Sequence, residues 1–221
     1  MSKEILNTII LAASVIGLLG FAEILYHFLG LKAELTRKFV HISTGLLTLL
    51  FPVMLGSHWL VLFLCVSFGI LLTLSIRFRL LQSVNGIKRK SAGSIAFPIA
   101  VYGSYLVFEF FGHQYIYYYL PVLILAICDP VAALTGKKWP IGQYKSGEEY
   151  KTAMGSVMFC ISAMLVSAIL FSILGIDLNY MYLSGIAAVS AIAEGLSRKG
   201  YDNITIPVSV ICSLFIFEKL I

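Results

Sequence analysis

After Lys3-Glu4 the chain runs Ile5-Leu6-Asn7-Thr8-Ile9-Ile10-Leu11-Ala12-Ala13-Ser14-Val15-Ile16-Gly17-Leu18-Leu19-Gly20-Phe21-Ala22, then closes with Glu23-Ile24-Leu25-Tyr26-His27-Phe28. No charged side chain interrupts it between Ile5 and Ala22. That is the length an α-helix needs to cross a hydrocarbon core of about 30 Å. It is too long for the apolar core of a signal peptide and lacks a small-x-small cleavage site, so it is expected to stay as a helix. Met-Ser-Lys-Glu ahead of it has no Arg- and Ser-rich transit character.

Seven further apolar blocks follow, at roughly 39–56, 58–76, 93–111, 115–134, 153–174, 180–195 and 203–219. With 59% hydrophobic and only 12% charged residues, the chain cannot clothe a core in a polar shell, which excludes an ordinary soluble domain. The expected fold is all-α: a polytopic membrane helix bundle of about eight spans, forming a single integral membrane domain over 1–221. The block at 180–195 is short, so a seven-span count is the alternative. The four cysteines (Cys65, Cys128, Cys160 and Cys212) lie in apolar stretches without paired spacing, a pattern of helix packing rather than of a disulfide or metal framework.

Fourteen of the sixteen Lys and Arg residues fall in alternate connections: Lys32, Arg37 and Lys38; Arg77 to Lys90; Lys137 to Lys151; Arg198 and Lys199. The positive-inside rule puts these connections in the cytoplasm and both termini outside. The net charge of +5 is then a topology signal and not a mark of nucleic-acid binding. A multi-pass protein of the plasma (inner) membrane with its active face toward the cytoplasm is the expectation.

Ionisable residues inside spans are costly and point to function. Asp129 stands out in Cys128-Asp129-Pro130-Val131-Ala132-Ala133-Leu134-Thr135-Gly136. Pro130 has no amide hydrogen and disfavours helical geometry at the residue before it, so a kink freeing carbonyls beside a carboxylate is expected. Such a place binds ions or polar ligands in membranes; the plainer reading is a carboxylate at an ordinary kink. Ala132, Ala133 and Gly136 form a small, open stripe below it. The loop to Thr152 carries Lys137, Lys138, Lys145 and Lys151, and a helix is expected to begin near Thr152. Lysines with the amides of a helix start make a phosphate site, although any cytoplasmic loop is basic. Beside Asp129 the loop becomes a phosphate-and-metal arrangement, the carboxylate holding Mg²⁺ and the lysines neutralising phosphate.

Arg37, His41, Thr44 and Thr48 share one face of the second span, with Lys38 beside Arg37 as a further anion contact. His41 is a proton acceptor, an orienting group or a structural interfacial histidine. Near the end, Glu194 sits four residues before Arg198, which suits a local ion pair. Asp202 is placed to cap the last helix, and Pro207 frees the carbonyl of Asn203. The functional reading makes Glu194, Asp202 and Asn203 a second polar cluster on the face of Asp129. Glu23 and His27 suit a local i,i+4 contact, and Glu109 belongs to no cluster.

Four blocks together resemble the polyprenol kinase family, which includes dolichol, phytol and farnesol kinases: Arg37-Lys38-Phe39-Val40-His41-Ile42; Asp129 to Gly136; Lys151-Thr152 before Gly155-Ser156; and Glu194-Gly195 with Gly200-Tyr201-Asp202-Asn203-Ile204-Thr205-Ile206-Pro207. They extend from the second span to the last, and the compact length is more similar to the phytol and farnesol branch. The resemblance implies an enzyme moving the terminal phosphate of a nucleotide, often CTP, onto the hydroxyl of a membrane-dissolved isoprenoid alcohol. It also implies a distant relation to phosphatidate cytidylyltransferases. In one respect the chain departs: family members commonly carry Glu before the Gly-Ser of the sixth span, and Met154 stands there. Glu148 or Glu149 then has to substitute, or the activity differs.

The first reading is therefore a CTP-dependent lipid-alcohol kinase with Mg²⁺ as cofactor, acting on a lipid such as phytol, farnesol or geranylgeraniol. Asp129 and Asp202 are assigned to metal, either His41 or Asp129 to the acceptor hydroxyl, and Arg37, Lys38, Gly136, Lys145, Lys151, Thr152, Gly155 and Ser156 to nucleotide and phosphates. The rivals are a CDP-lipid-forming cytidylyltransferase, built from the same parts, and a small transporter using a broken helix at Asp129. No inverted repeat supports the transporter, and the polar residues crowd one membrane face rather than the midplane.

Overall fold

The structure, a computed structural model, describes residues 3–86, 92–147 and 149–219. Its helices are α1 (Lys3–His27), α2 (Ala33–Thr48), α3 (Phe51–Met54), α4 (His58–Arg77), α5 (Gln82–Asn85), α6 (Gly93–Phe110), α7 (Ile116–Leu123), α8 (Asp129–Lys138), α9 (Ala153–Leu174), α10 (Tyr180–Leu196) and α11 (Asp202–Lys219). A π-helical segment, Ile124–Cys128, joins α7 to α8, so that Ile116–Lys138 runs as one apolar rod. Among the described residues five helices are long and apolar enough to cross a membrane: α1, α4, α6, the α7–α8 rod and α9. The helices Tyr180–Leu196 and Asp202–Phe217 are apolar but shorter.

Local chemistry sets the helix ends. Ser57 caps α4 by accepting from the amide of Trp59, Thr152 caps α9 through Gly155, and Asn179 caps α10 through Met181 and Tyr182. Each side-chain oxygen satisfies an amide that the helix start leaves without a partner. The rod lies at the centre: Leu120, Ile124, Leu125, Ala126 and Cys128 are fully buried. Large apolar side chains such as Phe63, Ile70, Leu165 and Ile173 point outward on α4 and α9. A helix surface of that kind suits lipid and not water.

Three expectations need correction. The second apolar block forms α2, which begins at Ala33 rather than at 39, because the helix is amphipathic: it buries Lys38, Thr44 and Thr48 within the bundle and Thr36 against the Ser83 carbonyl, while Leu35 and Leu46 face outward. Hydropathy averaging is blind to such a polar inner face. The loop after α8 is not wholly irregular. It contains an antiparallel hairpin, β1 (Gln143–Ser146) with β2 (Glu149–Thr152), in register Gln143 to Thr152 and Ser146 to Glu149. Gly147, at φ +65°, takes the left-handed conformation at its turn. Finally, Pro130 does not break the helix. Asp129 keeps helical angles (φ −62°, ψ −49°), and the π-helical turn before it absorbs the misfit instead.

Candidate functional site

A cavity of about 550 Å³ opens at the bundle end where α2, α9 and α11 begin and α8 and α10 finish. Its volume lies within the usual range for small-molecule sites. The wall takes Glu34, Arg37 and Lys38 from α2; Asp129, Ala132, Ala133, Gly136 and Lys137 from α8; Gln143, Glu149, Tyr150, Lys151 and Thr152 from the hairpin; Gly155 and Ser156 from α9; Glu194 from α10; and Gly200, Asp202 and Asn203 around the start of α11. Segments far apart in sequence thus meet at one place.

Two buried ion pairs dominate it. Lys38 Nζ lies 2.9 Å from Asp129 Oδ2, and Lys151 Nζ lies 2.6 Å from Glu194 Oε1 while also donating to the Glu194 carbonyl. A charge pair this far out of water loses much hydration, and its mutual attraction repays the loss only with good geometry. Arg37 adds a third cation: among the described residues nothing accepts from its buried Nε. At the mouth Lys137 pairs with Glu34. Four cations (Arg37, Lys38, Lys137 and Lys151) and five carboxylates (Glu34, Asp129, Glu149, Glu194 and Asp202) line one basin, a surface that a multiply charged anion can rearrange.

The small residues matter for closeness. A Cβ on Gly136 would collide with the Thr152 hydroxyl, and one on Gly155 would come within 3.0 Å of the Ala132 carbonyl. Bare backbone at both positions lets α8 and the start of α9 close the cavity floor. The amides at that start are already engaged. Ala153 donates to the Gly142 carbonyl at 2.9 Å, Met154 to the Ile141 carbonyl at 3.3 Å, and Gly155 to Thr152 Oγ1 at 3.0 Å. The helix-start amides expected to form a phosphate nest are therefore engaged by the chain itself, leaving side chains to face the cavity.

His41 stands outside the cavity lining. Its ring rests on Phe97, centroids 5.1 Å apart, and its Nε2 is 3.1 Å from the Leu125 carbonyl. In a π-turn Leu125 would bond the amide five residues on, which is Pro130 and has no hydrogen. The imidazole serves that carbonyl instead. One turn along α2, a Cβ on Gly45 would collide with Ala126. Lys38, His41 and Gly45 thus dock one face of α2 against Asp129 and the π-turn that precedes it.

Of the residues read from sequence, Asp129, Arg37, Lys38, Gly136, Lys151, Thr152, Gly155, Ser156, Glu194, Asp202 and Asn203 come together at the cavity; Lys145, exposed on β1, and His41 do not line it. Asn203 also donates to the Gly93 carbonyl at 3.1 Å, and Asp202 Oδ1 accepts from the Asn203 amide at 3.0 Å. Glu194 pairs with Lys151 and not with Arg198, because α10 ends at Leu196 and the chain turns away. Glu23 and His27 do form their local contact, at 3.0 Å. Met154 is not among the lining residues, whereas Glu149 is, accepting from the Lys199 amide at 3.0 Å. Glu148, and Lys88 to Ser91 of the third loop, lie outside the described residues. Sequence reasoning missed Glu34, Gln143 and Tyr150. The hairpin pair needed a turn signal, which Ser146-Gly147 supplies between two runs bearing Tyr and Lys.

Among the described residues no three His, Cys, Asp or Glu side chains are grouped to chelate a metal ion. Mg²⁺ does not need such a cage, since one or two carboxylates with substrate phosphates suffice. Asp129 and Asp202, on the same cavity wall, fit that mode.

No protein-family model matches the chain, and no solved structure matches it significantly. The chain is similar to a phytol kinase of Synechocystis sp., 29% identical over 201 residues that cover 89% of this chain and 85% of that protein. Extending through most of both proteins, that similarity supports assigning the chain to the polyprenol/phytol kinase family.

Proposed function

We propose that this protein is a membrane lipid kinase that transfers the terminal phosphate of CTP, or of another nucleoside triphosphate, to the hydroxyl of an isoprenoid alcohol such as phytol, farnesol or geranylgeraniol. The observation that carries the reading is the cavity with Lys38–Asp129 and Lys151–Glu194 in its wall, at one end of a bundle whose outer faces suit lipid. A charged donor has its place there, and a greasy acceptor reaches it from the bilayer. The similarity to a phytol kinase supports the same direction.

Phosphoryl transfer asks a protein chiefly to position two oxygens and neutralise charge. Arg37, Lys38 and Lys151 take the phosphates, and Ser156, already hydrogen bonded to the Tyr144 hydroxyl at 2.9 Å, orients them. The alcohol oxygen forms a bond to the terminal phosphorus as the bond from that phosphorus to the bridging oxygen breaks. The nucleoside diphosphate leaves, and the hydroxyl proton passes to a cavity carboxylate, for which Asp129 beside Lys38 is the assignment. Mg²⁺, when bound with the donor by Asp129 and Asp202, supplies charge neutralisation. The cavity faces the cytoplasm in this reading, with both termini outside, as the distribution of Lys and Arg favours.

The test uses purified protein in detergent with Mg²⁺, γ-labelled CTP and a panel of phytol, farnesol, geranylgeraniol, undecaprenol and diacylglycerol. Label in the lipid phase with release of CDP is the expected result. Pyrophosphate release from lipid phosphates, with no labelled lipid, would replace the kinase by a cytidylyltransferase. Asp129→Asn is expected to lose turnover while remaining folded and membrane-inserted; full activity in that variant overturns the assignment of Asp129.

A further inference from the structure

A second opening lies deeper in the bundle. It is an apolar crevice of about 110 Å³ bounded by Ala12 and Val15 of α1, Thr44 and Thr48 of α2, Ser67 of α4 and Phe97 of α6. We infer that this crevice holds the hydrocarbon tail of the lipid alcohol whose hydroxyl is phosphorylated beside Asp129. The inference rests on the kinase reading and extends it to how the acceptor is held.

Three observations carry it. First, α2 lines both openings with one face: Arg37 and Lys38 belong to the charged cavity, Thr44 and Thr48 to the crevice, and His41 lies between them against Phe97. Second, the threonine hydroxyls are spent within α2, Thr44 on the Val40 carbonyl at 2.6 Å and Thr48 on the Gly45 carbonyl at 2.8 Å. With both hydroxyls engaged, the crevice offers little to a polar ligand and much to a hydrocarbon one. Third, the crevice reaches the lipid face between α1 and α4, where Ile16 is 60% exposed and Ser67 is also exposed. A tail can arrive sideways from the bilayer without passing the charged mouth.

The six residues from Lys38 to Thr44 rise about 9 Å along α2. A lipid whose hydroxyl sits at Asp129 therefore meets the crevice only beyond its first isoprene units. The crevice encloses the middle of a long tail and releases the remainder between α1 and α4. A ten-carbon alcohol reaches no further than its rim.

That length dependence is the test. Ala12→Phe and Ser67→Phe fill the crevice from its two lips with side chains that lipid tolerates. Each is expected to lower kcat/KM for geranylgeraniol at least tenfold while leaving geraniol within twofold, with an unchanged melting temperature in detergent. Equal losses for both alcohols, or no loss for either, overturn the inference. A second measurement needs no variant: wild-type protein is photolabelled with a twenty-carbon prenol carrying a tail diazirine. Adducts within residues 11–16, 64–71 and 97–101, displaced by excess geranylgeraniol and not by phosphatidylglycerol, support the site. Adducts spread over the outer faces of α9 and α11, or displaced equally by the phospholipid, overturn it. If wild-type protein phosphorylates no alcohol, the kinase reading fails, whereas the labelled positions still report on the crevice.

Discussion

Lys38 reaches from α2 to Asp129 at the head of α8, Nζ to Oδ2 at 2.9 Å, with the lysine 8% and the aspartate 9% exposed. Each is the other's counter-charge at the cavity wall, with little of either side chain exposed. Removing one partner of a buried pair strands the other and typically costs about 3–5 kcal/mol. Lys38→Met is therefore expected to lower the melting temperature in detergent markedly. Lys38→Met combined with Asp129→Asn should recover much of that loss while staying inactive. Thermal unfolding of the two variants side by side checks this; a double variant no more stable than the single one contradicts it.

His41 touches the site through backbone. Its bond to the Leu125 carbonyl at 3.1 Å serves an acceptor that Pro130 leaves without its π-helical donor. Gln keeps a donor of similar reach, and Phe keeps the ring but not the hydrogen. His41→Gln is expected to retain activity within about tenfold, and His41→Phe to lose one to two orders of magnitude in kcat with KM for nucleotide little changed. A histidine acting as general base would instead lose its pH profile limb in both variants, so rates across pH separate the roles.

Gly136 sets how closely α8 meets α9. A methyl group there displaces the Thr152 hydroxyl, which caps α9 through the Gly155 amide. Loss of such a cap costs about 1 kcal/mol, and forcing two helices apart adds about 1–3 kcal/mol. Gly136→Ala should lower the melting temperature and weaken nucleotide binding together. Ala133→Gly, on the same wall without the contact, is the comparison.

Chelation distinguishes the metal reading. Because no three-ligand cage exists among the described residues, Mg²⁺ is expected to bind weakly without nucleotide and appreciably with it. Titration calorimetry of Mg²⁺ with and without a non-hydrolysable CTP analogue reads this directly. Tight binding to the bare protein, surviving Asp129→Asn and Asp202→Asn, contradicts the assignment.

The helices were legible in the sequence wherever apolar length alone decides, as in α1, α4 and α9. The start of α2 was not, since Arg37 and Lys38 look like loop charges until Asp129 is seen to bury one of them. Asp129 and Glu194 were legible as carboxylates in apolar stretches and Asp202 as a helix-start residue beside Asn203, but their partners were not: Lys151 reaches Glu194 across more than forty positions of sequence, a contact no local spacing encodes. The hairpin escaped because four-residue strands carry little signal of their own. It is held instead by contacts to distant chain, such as Ser146 to the Leu196 carbonyl at 3.3 Å. Pro130 pointed to the right place: the expected broken or kinked helix is a widened π-helical turn, and it leaves the Leu125 carbonyl to His41.

The α7–α8 rod and α2 are joined at three heights: Tyr118 to the Thr48 carbonyl at 2.8 Å, His41 to Leu125, and Lys38 to Asp129. The two helices consequently tilt as a unit, like rails joined by rungs. Bilayer thickness, which governs helix tilt, then acts on the charged basin from its far end. Turnover measured in vesicles of graded acyl length should vary with thickness in the intact protein and flatten when the Tyr118 rung is cut by Tyr118→Phe.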